Sequence, residues 1–236
     1  MRLFAWTFVT AFLAAAPAAA QTTLPYDHMH LAAPDQAKAV AWYQQTFGGE
    51  ITPEGKDRLL YGKTRFIWLK SENALPSAGA AIDHIAFSVA NRKPGFMTDP
   101  WGVRIEIVND AERRGFHHVH LRSSDPEAAL KWYQQRFGGE RTMYKGEDAL
   151  KYGDVLLMVE KATTPSAASV GHAIDHLGWR VTDLDKTLAD LAGIKVLQGV
   201  TNLQLATGPV RYAFVEDPAG AKIELVQRQG VGAVQR

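Results

Sequence analysis

The chain contains an internal duplication, and this feature restricts its fold more than any other. Residues 27–50 align without gaps on residues 117–140, with the same residue at 13 of the 24 positions. That level of identity is far above chance, so the two segments are copies of one structural unit. We call the units that begin with these segments a and a′.

A second unit follows each of the first ones, and we call its two copies b and b′. Segment 82–89 of unit b is similar in sequence to segment 174–181 of unit b′, and segment 99–108 is similar to segment 217–226. Unit b is shortened, because Glu106 follows His84 by 22 positions whereas Glu224 follows His176 by 48. The 26 missing positions are those in which b′ has a predicted helix and the strand after it. We therefore expect unit b to retain only part of its sheet.

Local patterns predict that units a and a′ each contain a strand, a helix and further strands. The apolar side chains of the a′ helix recur at spacings of three and four, which gives it one apolar face: Leu130, Tyr133 and Phe137. Ser124 or Asp125 is typical of a helix N-cap, and Gly138 of a helix C-terminus. The runs 65–69 and 155–159 are typical of buried strands. These patterns predict an α+β fold.

All eight histidines lie in four short blocks, and each block opens one unit. The blocks are His28 and His30; His84; His117, His118 and His120; and His172 and His176. Glu106 and Glu224 have corresponding positions near the ends of b and b′, inside otherwise apolar strands. A carboxylate in such a strand either faces solvent or is held inward by a cation, because unpaired burial of a charge is costly.

Two neutral imidazoles and one carboxylate form a ligand set that leaves coordination positions open for a substrate. Such a set suits Fe²⁺, and related sets suit Mn²⁺, Ni²⁺ or Zn²⁺. The histidines and glutamates are too far apart in the sequence for a local metal motif. The fold must therefore bring the ligands together from separate strands.

Three segments resemble the vicinal oxygen chelate superfamily, which comprises glyoxalases, bleomycin-resistance proteins and extradiol dioxygenases. They are HHVHLRSSDPEAALKWYQQRFGG, IDHLGWRV and AFVEDPAGAKIELV. The resemblance covers the chain after its first 20 residues as four βαβββ modules, the second truncated. It implies that two modules pair into a curved sheet around a metal. The implied ligands are His118, His176 and Glu224 in the second half, and His28, His84 and Glu106 in the first.

The pairing of the modules stays open at this stage. If a pairs with b and a′ with b′, the two sites are the ligand sets just named, and we favour the second-half site because unit b is shortened. If a pairs with b′, the site consists of His28, His176 and Glu224.

The chain departs from glyoxalase I at the position of that enzyme's fourth ligand. Trp68 stands near this position in unit a, and Val159 in unit a′. Glu160 is one residue further along the strand, and it is a weaker candidate for the fourth ligand because a shift of one residue turns a side chain to the opposite face of a sheet. We therefore expect a site with three protein ligands.

Three further residues are candidates for catalysis. His30 and His120 follow His28 and His118 by two positions, so they share a strand face with these ligands and are candidate bases or substrate contacts. Tyr212 precedes AFVEDP in a strand and is a candidate hydrogen-bond donor to a substrate oxygen.

The resemblance implies a metal-dependent enzyme that binds two neighbouring oxygens of a small-molecule substrate. Lyase or isomerase chemistry and ring-cleaving dioxygenation both fit, and the sequence does not separate them. The alternative is a non-catalytic protein that binds a small molecule, as bleomycin-resistance proteins do. A structural partner protein is a third interpretation, and the sequence leaves a homodimer open.

The N-terminus and the composition predict where the protein acts. Residues 1–20 have a basic start, an apolar run and small residues before Gln21, which is typical of a cleaved signal peptide. We expect a periplasmic or secreted protein with no membrane attachment after cleavage. The net charge of +1 argues against nucleic acid as a partner. Cysteine is absent, which excludes disulfides and thiol nucleophiles. The expected parts are the signal peptide 1–20, halves 21–113 and 114–229, and a tail 230–236.

Overall fold

Strands make up most of the structure. The computed structural model describes residues 23–228 apart from residues 25, 192 and 206, and these residues form 15 strands and three helices. The expected signal peptide and C-terminal tail lie outside the described residues. No helix within the described part of the chain is long and apolar enough to cross a membrane.

Each of the four units contributes a run of consecutive elements. Unit a supplies β1 (Tyr26–Ala33), α1 (Gln36–Phe47), β2 (Glu50–Ile51), β3 (Arg58–Tyr61) and β4 (Thr64–Lys70). Unit b supplies β5 (Ile82–Ser88), β6 (Gly95–Thr98) and β7 (Arg104–Val108). Unit a′ supplies β8 (Gly115–Ser123), α2 (Pro126–Phe137), β9 (Glu140–Tyr144), β10 (Glu147–Tyr152) and β11 (Val155–Lys161). Unit b′ supplies β12 (Ile174–Arg180), α3 (Leu184–Asp190), β13 (Lys195–Leu205), β14 (Gly208–Glu216) and β15 (Lys222–Arg228).

The predicted α+β fold with a shortened unit b is confirmed. Within the described residues, unit b has no helix and only β6 where unit b′ has α3, β13 and β14. The helix boundaries of a′ also agree with the prediction, because the Asp125 side chain accepts a hydrogen bond from the Ala128 N–H at the start of α2. Gly138 ends this helix with a positive φ of 75°, a conformation that glycine adopts at little cost.

Two mixed sheets take strands from both halves of the chain. The first has the order β13-β14-β15-β12-β1-β4-β3-β2, and the second has the order β6-β7-β5-β8-β11-β10-β9. Unit a therefore pairs with b′ through β1 and β12, and unit b pairs with a′ through β5 and β8. The expected boundary near residue 113 falls between β7 and β8, but the two halves do not form separate sheets.

The two helices of the a-type units connect the sheets. Tyr43 in α1 donates a hydrogen bond to Asp99 in the Asp-Pro turn of unit b, at 2.8 Å. Tyr133 in α2 does the same to Asp217 in unit b′, at 2.9 Å. One hydrophobic cluster contains apolar residues of both sheets and both helices. Since the core lies on one face of each sheet, the side chains that alternate with it point to the other face.

Two candidate metal centres

The first cluster of polar residues lies at the junction of units a and b′. It comprises His28 and His30 on β1, His176 on β12 and Glu224 on β15. The Nε2 atoms of His28 and His176 both lie 3.0 Å from Glu224 Oε2. His28, His176 and Glu224 are each at least 91% buried. Their position follows from strand alternation, because Met29 and Leu177, which directly follow His28 and His176, face the core.

The second cluster lies at the junction of units b and a′. It comprises His84 on β5, Glu106 on β7, and His118 and His120 on β8. Glu106 Oε2 lies 3.1 Å from His118 Nε2 and 3.7 Å from His84 Nε2. The Glu106 carboxylate is more exposed than that of Glu224, with 26% against 11% of the side chain accessible. The second cluster is therefore the more open of the two.

The structure brings together all six predicted ligands, but in different groups from the two that we favoured. His118 lies with His84 and Glu106, so the group His118, His176 and Glu224 is wrong, and so is its first-half counterpart. The alternative group of His28, His176 and Glu224 is the one that lies together. The reason is that β1 pairs with β12 and β5 with β8. Metal binding by either cluster stays a prediction.

Carboxylates hold three of the cluster histidines in one orientation. Each is the residue just before the histidine, and each lies near the histidine Nδ1: Asp27 to His28 at 3.0 Å, Asp83 to His84 at 2.8 Å, and Asp175 to His176 at 2.5 Å. An ionised carboxylate only accepts hydrogen bonds, so Nδ1 carries a proton and Nε2 is the nitrogen directed at the cluster. The repeated Asp-His dipeptide was visible in the sequence, but we had missed its role.

The fourth histidine of this type is held through a second imidazole. His117 stands where the other units have aspartate, and its Nδ1 lies 2.8 Å from His118 Nδ1. Its Nε2 lies 3.1 Å from Asp110 Oδ2. If His117 donates its proton to Asp110, its Nδ1 accepts the proton of His118, and His118 Nε2 faces Glu106 as a lone pair. His117 is fully buried and is thus a packed residue rather than an exposed one.

Each cluster contains histidines whose pKa is shifted in opposite directions. Burial lowers the pKa of His28, but the charges of Glu224 and Asp27 outweigh this effect and raise the pKa to about 9. In the same way, burial is outweighed at His84, where Asp83 and Glu106 raise the pKa. Burial dominates at the other histidines: it lowers the pKa of His30 well below its usual value, that of His118 to about 4 and that of His120 to about 3. Because His118 and His120 stay neutral near pH 7, their lone pairs are free to bind a cation.

The arrangement of donor atoms fits a divalent metal ion. In each cluster, three imidazoles and one carboxylate offer donor atoms that all lie within 4.8 Å of one another. Donor atoms that bind the same metal ion at about 2.0–2.2 Å also lie within a few ångströms of one another. Two histidines of these clusters also have a buried nitrogen without a hydrogen-bond partner, namely His30 Nδ1 and His120 Nε2. Buried polar atoms without partners are rare, and a metal would satisfy them.

The cavities beside the two clusters have different walls. The first has a volume of about 380 Å³ and is bounded by the β13–β14 hairpin, with Leu203, Leu205, Tyr212 and Phe214. The second has a volume of about 730 Å³ and includes Phe96, Tyr144 and Glu147 in its lining. In unit b, β6 pairs with β7 as β14 pairs with β15, but no described strand of unit b corresponds to β13. The second cavity, which has the larger volume, therefore lacks a wall that corresponds to β13.

The remaining sequence candidates have defined positions. Tyr212 lines the first cavity next to Phe214, with 5.5 Å between the ring centroids. Trp68 and Val159 belong to the core. Glu160, the weaker candidate for the fourth ligand, lines the second cavity on the face of β11 opposite the core, to which its neighbour Val159 belongs. Its carboxylate forms an ion pair with Arg122 at 3.0 Å.

Gly178 is a site residue that the sequence analysis missed. It lies opposite His28 in the β1–β12 pairing, and a Cβ atom at this position would overlap the His28 ring. Ala86 has the corresponding position opposite His118. The sequence contained one indication of this role, because segment IDHLGWRV has a glycine where the corresponding segment IDHIAFSV has an alanine.

The metal-free protein should lose stability as the pH falls from 6.5 to 5. His118 and His120 stay neutral in the folded protein in this range, whereas in the unfolded chain they bind protons below about pH 6.5. The unfolded state then binds more protons, so the free energy of unfolding falls with pH, by up to about 1.4 kcal/mol per group per pH unit. Urea denaturation of chelator-treated protein at pH 6.5 and 5.0 measures this loss. His120→Gln should make it smaller, and an unchanged free energy in wild type would contradict the expectation.

Comparisons with known proteins agree with this fold. Residues 115–225 match the family model of the Glyoxalase/Bleomycin resistance protein/Dioxygenase superfamily. No curated protein matches the sequence. Glyoxalase I from Zea mays has a similar structure, with 19% sequence identity, a TM-score of 0.66, and coverage of 87% of this chain and 92% of that chain. A proposed dioxygenase from Bacillus subtilis has 14% identity and a TM-score of 0.58, with coverage of 89% and 87%. At these identities the likeness shows the fold alone.

Proposed function

We propose that this chain, which belongs to the Glyoxalase/Bleomycin resistance protein/Dioxygenase superfamily through residues 115–225, is an exported metal-dependent enzyme. Its substrate is a small molecule with two neighbouring oxygens, and its reaction is a lyase or isomerase reaction or a dioxygenation. The observation that carries the proposal is the first cluster, in which His28, His176 and Glu224 converge beside a cavity. Fold membership alone does not define a reaction, so the proposal depends on this site.

The residues around the first cluster have separate tasks in the proposed reaction. His28, His176 and Glu224 would hold the metal, with Asp27 and Asp175 fixing the imidazole orientation. A divalent metal supplies Lewis-acid stabilisation of negative charge on a substrate oxygen.

The residues of the β13–β14 hairpin would contact the part of the substrate that is not bound to the metal. Tyr212 lines the cavity and would donate a hydrogen bond from its hydroxyl to a substrate oxygen, and Leu203 and Leu205 give one side of the cavity an apolar surface. A lower water content strengthens each of these polar interactions.

Elemental analysis of the full chain, expressed with its own N-terminus and purified from the periplasm, tests the proposal. We expect a stoichiometric transition metal, and we expect His176→Ala to lower the metal content. Iron would favour oxygen chemistry, whereas nickel or zinc would favour isomerisation. Metal-free protein that binds a small ligand equally well with and without chelator would support the non-catalytic alternative instead. Recovery only in the cytoplasm, with residues 1–20 retained, would contradict export.

A further inference from the structure

We propose that His30 and His120 are metal ligands, so that each centre holds its ion through three imidazoles and one carboxylate. This inference rests on the proposed metal binding and raises the number of protein ligands at each ion from three to four. At the level of sequence, these two histidines were candidate bases or substrate contacts, and the expected site had three protein ligands. The geometry of both clusters points to a fourth.

His30 lies inside the ring of donors of the first cluster. Its ring stacks on that of His176, with 4.3 Å between centroids and an angle of 17° between planes, and lies 5.0 Å from the His28 ring. Its Nδ1 is buried and has no hydrogen-bond partner. One donor atom of His30 lies within 4.8 Å of the donor atoms of His28, His176 and Glu224.

His120 has the corresponding position in the second cluster, and its contacts give a stronger argument for a bound cation. His120 Nδ1 lies 3.1 Å from His84 Nε2. Asp83 accepts the Nδ1 proton of His84, so two arrangements can join His84 Nε2 to His120 Nδ1. If His120 donates to a neutral His84, the Nε2 of His120 is a buried acceptor without a partner. If His84 donates instead, it carries a buried positive charge. Neither arrangement leaves both imidazoles neutral and fully hydrogen-bonded, whereas a cation bound by both nitrogens does.

The duplication supports the same assignment. His30 and His120 have the same position in units a and a′, and each lies next to a different partner unit. The two clusters differ in burial and in cavity, yet both place this histidine among the donors. A role that depended on one substrate or one cavity wall would not require the same histidine in both places.

Four protein donors restrict the reaction that the centre can support. A six-coordinate ion with four protein ligands has two positions left, which two neighbouring substrate oxygens would fill. A site with two histidines and one carboxylate leaves three positions, enough for such a substrate and dioxygen together. The inference therefore favours isomerisation or a lyase reaction, in which a proton moves without an oxidant, over ring-cleaving dioxygenation.

Cobalt titration of the metal-free full chain tests the assignment. We expect wild type to bind two Co²⁺ ions, and His30→Ala and His120→Ala each to weaken one of them by roughly 10²-fold or more, since changes around a ligand alone cost 10–100-fold. Each variant should also change the visible absorption of the bound Co²⁺. His30→Gln and His120→Gln, with circular dichroism, check that the effect is not a loss of folding. His172→Ala is the matched control, because His172 belongs to neither donor set and its loss should leave both affinities unchanged.

The outcomes separate this inference from the proposed function. Unchanged Co²⁺ affinity and absorption in both histidine variants, with a folded chain, would overturn the fourth ligand while leaving metal binding intact. Loss of metal in His176→Ala would then still support a three-ligand centre. Absence of Co²⁺ binding by wild type would overturn both.

Discussion

His28→Ala and Glu224→Gln should each remove the same bound metal ion, although these residues are 196 positions apart. The two side chains lie 3.0 Å apart in the first cluster, so the loss of either leaves the same ion with an incomplete ligand set. We expect each single variant, and also the double variant, to lose one of two metal equivalents per chain. Metal content per chain after gel filtration measures the loss.

His118→Ala is the control that identifies the pairing of the units. It lies in the second cluster, so His118→Ala combined with Glu224→Gln should lose both metal equivalents. If this combination lost only one, His118 and Glu224 would share an ion, and the pairing of a with b′ would be wrong in solution. Removing two ligands of one ion costs no more metal than removing one of them, whereas removing ligands of two separate ions costs both ions. The number of metal equivalents lost by the double variant therefore shows which units are paired.

Gly178→Ala should disable the first centre and leave the second intact. Its Cβ would overlap the imidazole of His28, which must then leave its position next to Glu224. Gly178 lies in the regular strand β12, so we expect the backbone to accept alanine and the damage to stay local. We expect the Co²⁺ affinity of one site to fall by roughly 10²-fold or more, comparable to the loss of a ligand.

Ala86→Gly is the matched control for this substitution. Ala86 has the corresponding place opposite His118, where a methyl group is already accommodated. Removing this methyl group should leave the metal content of both centres unchanged. Equal loss of metal in Gly178→Ala and Ala86→Gly would show that strand flexibility, and not the His28 ring, determines the effect.

The two cavities show how the truncation of unit b shapes the sites. In unit b′, β13 and β14 bring Leu203, Leu205 and Tyr212 over the first cluster. In unit b, only β6 is present, and Phe96 lies beside His84 as Phe214 lies beside His176, at 5.1 and 5.0 Å between centroids. The donor sets are thus preserved while the enclosure differs. The length difference between His84–Glu106 and His176–Glu224 already predicted this asymmetry.

The sequence could not predict which side of a strand faces the site at every position. Val159 stands at the fourth-ligand position in the sequence, yet it belongs to the core, and its neighbour Glu160 lines the cavity on the other face of the strand. A strand register that differs by one residue reverses every side chain. The role of His117 also escaped prediction, because its partner Asp110 lies in the loop before β8 and approaches it only in the folded chain.

The sequence by itself determined the four units, the missing part of unit b, the α+β fold and the residues that form the two clusters. These follow from repeats, spacing and apolar periodicity, which are local properties of the chain. The tertiary structure alone decided that a pairs with b′ and b with a′, and thus which ligands share a centre. The opening strands of b and b′ carry the same IDH segment, and those of a and a′ the same His-x-His pattern, so either partner fits locally. Strand pairing between distant segments depends on how the whole core packs, and no local pattern records that choice.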